Sequence, residues 1–219
     1  FKKDITNKAF NKVGKNKAKI ENSDLLFTTQ FFTDKYMVKY LVNESLSGFN
    51  ETNIQNVVVI DPASGGGNFL NYSFERLYIL YRKFKPDWSI QKIVDTILNS
   101  SIVGYDLDLN LSKIASLSLF VKACSYAVPS KSISIKIFGG IANDKFGFLN
   151  PNVTSNSIER TTFKTQLEKF NKKNKIKVFV TNPPFMGKRD MDTALKNYLL
   201  TNYPESKGDL CVSFIQRTI

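Results

Sequence analysis

Four short apolar runs punctuate the chain, and the segments between them carry apolar residues at helical spacing. Val57–Ile60 is a continuous β-branched run, the pattern of a strand buried on both faces of a parallel sheet. Ser101–Asp108, ending in acids, and Ile176–Val180 read the same way, and Ile133–Phe138 alternates with Ser134 and Lys136 as a third strand. Between them the 3.6-residue period predicts helices over Asn68–Phe84, Trp88–Leu98, Leu109–Ser125 and Glu159–Phe170, with a further packed helix in the stretch Lys207–Arg217 whose apolar positions are Leu210, Val212, Phe214 and Ile215. Ahead of the first strand, Thr33 is a good N-cap for a helix whose apolar face would be Tyr36, Met37, Tyr40 and Leu41. Phe148–Ile158, rich in Asn, Ser and Pro, reads as a loop. Strands alternating with helices predict an α/β fold, a doubly wound Rossmann-like parallel sheet. Residues 1–26 are expected to be a basic, irregular lead-in and 27–219 the core. No run is long and apolar enough to cross a membrane.

Three strand ends carry the candidate chemistry. Val57–Ile60 runs into Asp61-Pro62-Ala63-Ser64-Gly65-Gly66-Gly67-Asn68-Phe69-Leu70, a strand-to-helix turn whose glycines let the backbone bend tightly and approach a ligand. A dinucleotide fingerprint would need a third glycine where Leu70 stands, and the phosphate-binding lysine of a P-loop is absent. An acid at the strand tip repels a pyrophosphate but suits a cationic, amine-bearing ligand such as the methionine end of S-adenosylmethionine. The second strand ends in Asp106-Leu107-Asp108, where an acid can accept hydrogen bonds from ribose hydroxyls. Asp108 is better placed to start the next helix. The fourth strand delivers Thr181-Asn182-Pro183-Pro184-Phe185; two prolines cannot continue a ladder, so the backbone leaves the sheet there in a fixed, extended shape.

Composition narrows the classes. The chain has no histidine, which removes serine-hydrolase triads, His-Glu zinc sites and any histidine general base. Thirty-one Lys and Arg against 19 Asp and Glu give a net charge of +12, the balance of a protein with a polyanionic partner such as nucleic acid. The abundance of Lys, Asn, Ile and Phe is also what an AT-rich genome produces, so charge alone leaves both explanations open. Lysines are densest over Lys2–Lys19 and Lys164–Lys177. The two cysteines, Cys124 and Cys211, fit no metal spacing and are expected to be buried thiols of a protein from a reducing cytoplasm. Phe1, with no signal-peptide pattern behind it, suggests a piece of a longer protein.

The turn from Asp61 to Leu70 resembles the D-P-x-x-G-x-G-x-F-L cofactor motif of amino-methyltransferases that modify DNA adenine. Phe31-Phe32-Thr33 is similar to the F-[FY]-T-P element ahead of it in the gamma class, with Asp34 in place of proline, and Asn182-Pro183-Pro184-Phe185 to the [DNS]-P-P-[YFW] catalytic motif. The order of the three motifs resembles that of the gamma class, prokaryotic N6-adenine DNA methyltransferases of restriction–modification type. The resemblance implies a class I methyltransferase sheet, incomplete at the C-terminus, that lacks its last strands and target-recognition region and is inactive on its own. It implies S-adenosylmethionine as cofactor, held by Thr33, Asp61, Ala63, Gly65, Gly67, Asn68, Phe69, Asp106 and Leu107, with no metal. Asn182 and the Pro183 carbonyl would hold the target amine, Pro184 would fix the loop and Phe185 would stack on an extruded base in double-stranded DNA. The acid that usually follows the third strand is missing from its place; Asn143 or Asp144 could substitute. Three alternatives stay open: a methyltransferase of RNA or of a protein amide, a non-catalytic scaffold of the same fold and, furthest off, an NAD-dependent enzyme.

Overall fold

In a computed structural model, the described residues are 33–140, 146–150 and 163–218. They divide into two compact units, Thr33–Asn182 and the residues from Pro183 onward.

The first unit is an α/β sheet. Strands β1 (Val57–Asp61), β2 (Ile102–Asp106), β3 (Ile137–Gly139) and β4 (Ile176–Phe179) lie in the order β3-β2-β1-β4. All three pairings are parallel, with Val59 opposite Ile102, Gly104 opposite Ile137 and Ile60 opposite Phe179. Helices connect them as the apolar periods require: α1 (Lys35–Ser45), α2 (Asn68–Phe84), α3 (Ile90–Thr96), α4 (Leu109–Cys124) and α5 (Phe163–Lys172). The central strands are the most deeply covered part. Val57, Val58, Val59 and Ile60 are completely buried, each side chain contributing about 1.5–3 kcal/mol relative to exposure. One core layer joins Val57 and Val59 to Val42, Phe74, Leu77, Tyr81, Ile93 and Ile97. Elsewhere the rings of Tyr105, Phe138 and Phe148 meet Phe163, which seats α5 on the unit.

Several local expectations change. The N-cap of α1 is Asp34, not Thr33, and it makes no side-chain cap bond. That helix buries Val38 and Val42 and leaves Tyr36, Met37, Tyr40 and Leu41 exposed. Its sequence carries two apolar stripes, and the β-branched one at i, i+4 is the one that packs into the core, against α2. The helix predicted over Trp88–Leu98 begins after Ser89, whose hydroxyl accepts from the Lys92 N–H, and ends in a π-helical turn, Ile97–Ser101, that leads straight into β2. Strand β3 is shorter than predicted, with Ile133 and Ile135 packing on the core from non-strand backbone. Strand β4 is not buried on both faces: among the described residues it pairs only with β1, and Ile176 and Lys177 are exposed. Residues 159–162 of the predicted helix, Phe31, Phe32, Asn143, Asp144 and most of the loop to Ile158 lie outside the described residues.

The second unit holds α6 (Thr193–Asn202), which the sequence pattern did not reveal, and α7 (Leu210–Thr218). Asp192 caps α6 through the Leu195 N–H at 2.7 Å. A single bridge, Gly187 with Asp209, and the Leu210 N–H bond to the Met186 carbonyl at 2.9 Å fix the entry to α7. That helix buries Leu210, Ser213 and Phe214, whereas Val212 and Ile215, expected in its packed face, are about half exposed. Cys124 and Cys211 are free and only half-buried, not the fully buried thiols expected. Among the described residues no helix is long and apolar enough to cross a membrane.

Candidate functional site

Parallel pairing brings the carboxyl ends of β1, β2 and β4 side by side, and there Asp61 and the glycine turn, Asp106 and the start of the Asn182 segment lie at neighbouring strand ends. Leaving β1 at Asp61, the chain turns through 62–67 and enters α2 at Asn68. Gly65 and Gly67 have φ of +51° and +88°, left-handed backbone that costs a side-chain-bearing residue dearly. Gly67 is also the N-cap of α2, close against Ala115, where a Cβ would sit 3.1 Å from that residue. Its own N–H donates to the Ser64 carbonyl, closing the turn at 2.8 Å.

The turn is pinned to β2 by two bonds. The Ser64 N–H donates to the Tyr105 carbonyl at 2.9 Å, and the Gly65 N–H donates to Asp106 Oδ2 at 2.7 Å. Asp106 Oδ1 accepts from the Asp108 N–H at 2.9 Å, while Asp108 turns outward to cap α4 through the Asn110 N–H. Asp108 starts the helix as expected, while Asp106 holds the turn and its own strand end. Gly104 in β2 allows the approach of α2: a Cβ there would lie 2.6 Å from Leu70 Cδ1.

Both acids are held away from their ordinary protonation range. Asp61 is completely buried, and burial pushes its carboxyl up to about 7, against the opposing pull of the Thr181 hydroxyl and the Ala63 N–H, with the Asp106 charge adding to the rise. Its Oδ1 accepts from the Ala63 N–H at 3.2 Å, whereas Oδ2 makes no hydrogen bond. Burial also raises Asp106, to about 6, with the Asp108 and Gly65 N–H groups acting in the other direction. Two neighbouring acids raised by burial, one with an orphaned oxygen, make this strand end suited to a donor or a cation.

The remaining predicted residues fall as follows. Ala63 and Leu107 are half-buried within the same turn and strand end, and Asn68 is exposed at the start of α2. Phe69 is 4% exposed and packs in the core beneath the turn. Thr33 is half-buried ahead of α1, and no described hydrogen bond ties it to the glycine turn. Asn182 lies three residues past the end of β4; just beyond that strand the Val180 N–H donates to the Ile60 carbonyl at 3.1 Å, so the Asn-Pro-Pro-Phe segment begins beside the tip of β1. Pro183, Pro184 and Phe185 come next in sequence as part of the second unit, the Phe185 ring 55% exposed. Sequence reading missed two groups, Ser64, whose buried hydroxyl has no partner, and Thr181, whose buried Oγ1 also has none. The signal for Thr181 was its place immediately before Asn182.

A parallel sheet that carries a glycine turn after one strand, an acid after its neighbour and an Asn-Pro-Pro-Phe segment after the strand on the other side has the fold of the class I methyltransferases. The chain belongs to the Eco57I restriction-modification methylase family, whose model matches residues 100–219. It is 22% identical to the adenine-specific methyltransferase PglX of Lacticaseibacillus casei (strain Zhang) over 92% of this chain and 25% of that protein. Among solved structures, the fold is similar to the ATP-dependent Type ISP restriction-modification enzyme LlaBIII bound to DNA, with TM-score 0.53, 14% identity and coverage of 87% of this chain and 14% of that one. It is likewise similar to the DrdV–DNA complex, with TM-score 0.53, 15% identity and coverage of 90% and 20%. The chain spans about a quarter of the length of the curated relative it matches.

Proposed function

We propose that this chain is the cofactor-binding and catalytic portion of a DNA methyltransferase that moves a methyl group from S-adenosylmethionine to the N6 amine of an adenine turned out of double-stranded DNA. The observation that carries the reading is the convergence of Asp61, the Asp106-tied glycine turn and Thr181-Asn182 at one edge of the sheet. The residues fit the cofactor. Asp61 offers a buried carboxylate oxygen without a partner to the cationic amine-bearing end, and Asp106 oxygens, each with one hydrogen bond of the two they can accept, remain open to ribose hydroxyls. Ala63, Gly65, Gly67 and Asn68 supply backbone close to the ligand, Phe69 anchors the turn from the core, and Thr33 and Leu107 border it. Bound S-adenosylmethionine supplies an electrophilic methyl group on a sulfonium.

The chain's own part is to make a poor nucleophile attack. An exocyclic amine has its lone pair delocalised into the ring. The Asn182 side-chain oxygen and the Pro183 carbonyl accept its two N–H bonds and draw the nitrogen toward a tetrahedral shape, freeing the lone pair. Pro184 stiffens the segment, and Phe185 offers a face on which an extruded base stacks. The amine becomes acidic as it is alkylated, so the absence of histidine is no obstacle. The net charge of +12 supports a polyanionic substrate.

The test is methyl transfer by the full-length protein from labelled cofactor to duplex DNA, RNA and protein, followed by digestion to identify the modified base. N6-methyladenine is expected. Asn182→Ala and Pro183→Ala should slow transfer far more than they weaken cofactor binding; equal loss of both would contradict the assigned roles.

A further inference from the structure

Two buried polar atoms at the tips of neighbouring strands are left without partners although they face each other. Asp61 Oδ2 at the end of β1 and Thr181 Oγ1 just beyond β4 each lack a hydrogen bond of normal geometry, yet the hydroxyl is close enough to favour the ionised form of the carboxyl. The ladder explains the proximity: Phe179 lies opposite Ile60, and the Val180 N–H donates to the Ile60 carbonyl. Leaving one buried donor or acceptor unsatisfied is costly, and these two are near enough that a small shift would satisfy both.

Few groups act on Asp61. From β2 comes the charge of Asp106, from β4 the Thr181 hydroxyl and from the glycine turn the Ala63 N–H; the start of α2 on this side offers Asn68, Phe69 and Leu70, none of them titratable. While Asp61 is protonated it needs no donor from Thr181. Once it is charged, a buried carboxylate with one long hydrogen bond at 3.2 Å draws in the nearest O–H. That O–H sits one residue before Asn182.

We propose that Thr181 is a positioning residue: its hydroxyl closes onto the Asp61 carboxylate when that group is charged, and this fixes the backbone that carries Asn182. The role rests on the function proposed above. A cationic ligand at Asp61 favours the carboxylate and, through Thr181, sets the catalytic segment in place, so that occupancy of one strand tip prepares the other. Any charge that leaves Asp61 ionised has the same effect, including a rise in pH through about 7.

The full-length protein with Thr181→Val, which keeps the shape and removes the hydroxyl, and with Thr181→Ser, which keeps the hydroxyl, distinguishes this from packing. Hydrogen–deuterium exchange of the peptide covering 180–185 is compared between variants at pH 5.5 and pH 8. At pH 8 the Val variant should exchange about tenfold faster than wild type and the Ser variant like wild type, with all three alike at pH 5.5. In single-turnover methyl transfer at pH 8, Thr181→Val should be slower by about tenfold with cofactor affinity within about threefold of wild type, and Thr181→Ser should recover most of the rate. Equal exchange in all three proteins at both pH values overturns the proposal whatever the kinetics, as does equal impairment of the Val and Ser variants. A wild-type protein that shows the exchange pattern but transfers no methyl group to DNA would keep the positioning role and refute the proposed function instead.

Discussion

Replacing Asp61 by asparagine should make the chain more stable at neutral pH and remove a large part of its pH dependence. The folded protein holds the Asp61 proton up to about 7, whereas the ordinary value of 3.8 applies to the unfolded chain. An acid whose folded pKa is raised favours the folded state at low pH; that contribution is complete below about 4 and is lost as the pH climbs through about 7. The interval between the two values is worth about 4 kcal/mol at about 1.4 kcal/mol per pH unit. The introduced amide keeps an oxygen to accept the Ala63 N–H and carries no charge, so the variant escapes this loss. Asp106, raised to about 6, tilts both proteins in the same sense and largely cancels from the comparison. Urea unfolding of wild type and Asp61→Asn between pH 4.5 and 8.5 supplies the difference in stability at each pH. The wild type should lose ground steadily to pH 7 and then run parallel. Parallel curves throughout, or a wild type that gains on the variant as the pH rises, would show that the Asp61 carboxylate is well satisfied when folded and would refute the reasoning.

Two further outcomes follow from the same geometry. Gly104→Ala should destabilise the chain by about 1–3 kcal/mol, because the new methyl would lie 2.6 Å from Leu70 Cδ1; thermal unfolding should show a smaller cost for the same change in a Leu70→Ala background. Asp106→Ala removes the acceptor of the Gly65 and Asp108 N–H groups as well as the proposed ribose contact, and calorimetric titration of the full-length protein should show S-adenosylmethionine bound roughly 10–100-fold more weakly; unchanged affinity would remove Asp106 from the site.

Asp61 also shows where reading strand ends from sequence succeeds and where it stops. That an acid stands at a strand tip before a glycine turn is a local fact, and so is the buried run that carries it there. Its protonation near neutrality is not local. It comes from the complete enclosure of the carboxyl and from the neighbourhood of Asp106 and Thr181, groups 45 and 120 positions away in the chain.

The residue pattern by itself determined the α/β class, the two central strands, the bounds of α2 and nearly those of α4, and Asp108 as the start of α4, because burial on both faces, helical period and capping are written in neighbouring residues. Tertiary structure alone decided which stripe of α1 faces inward, since Tyr36, Met37, Tyr40 and Leu41 were as apolar a choice as Val38 and Val42. It also decided that β4 lies half exposed beside β1, a matter of neighbours and not of composition. The contact that sets Thr181 against Asp61 belongs to the same category. Periodicity specifies which face of an element is apolar, but only the register of parallel strands far apart in sequence specifies which polar groups end up within reach of one another.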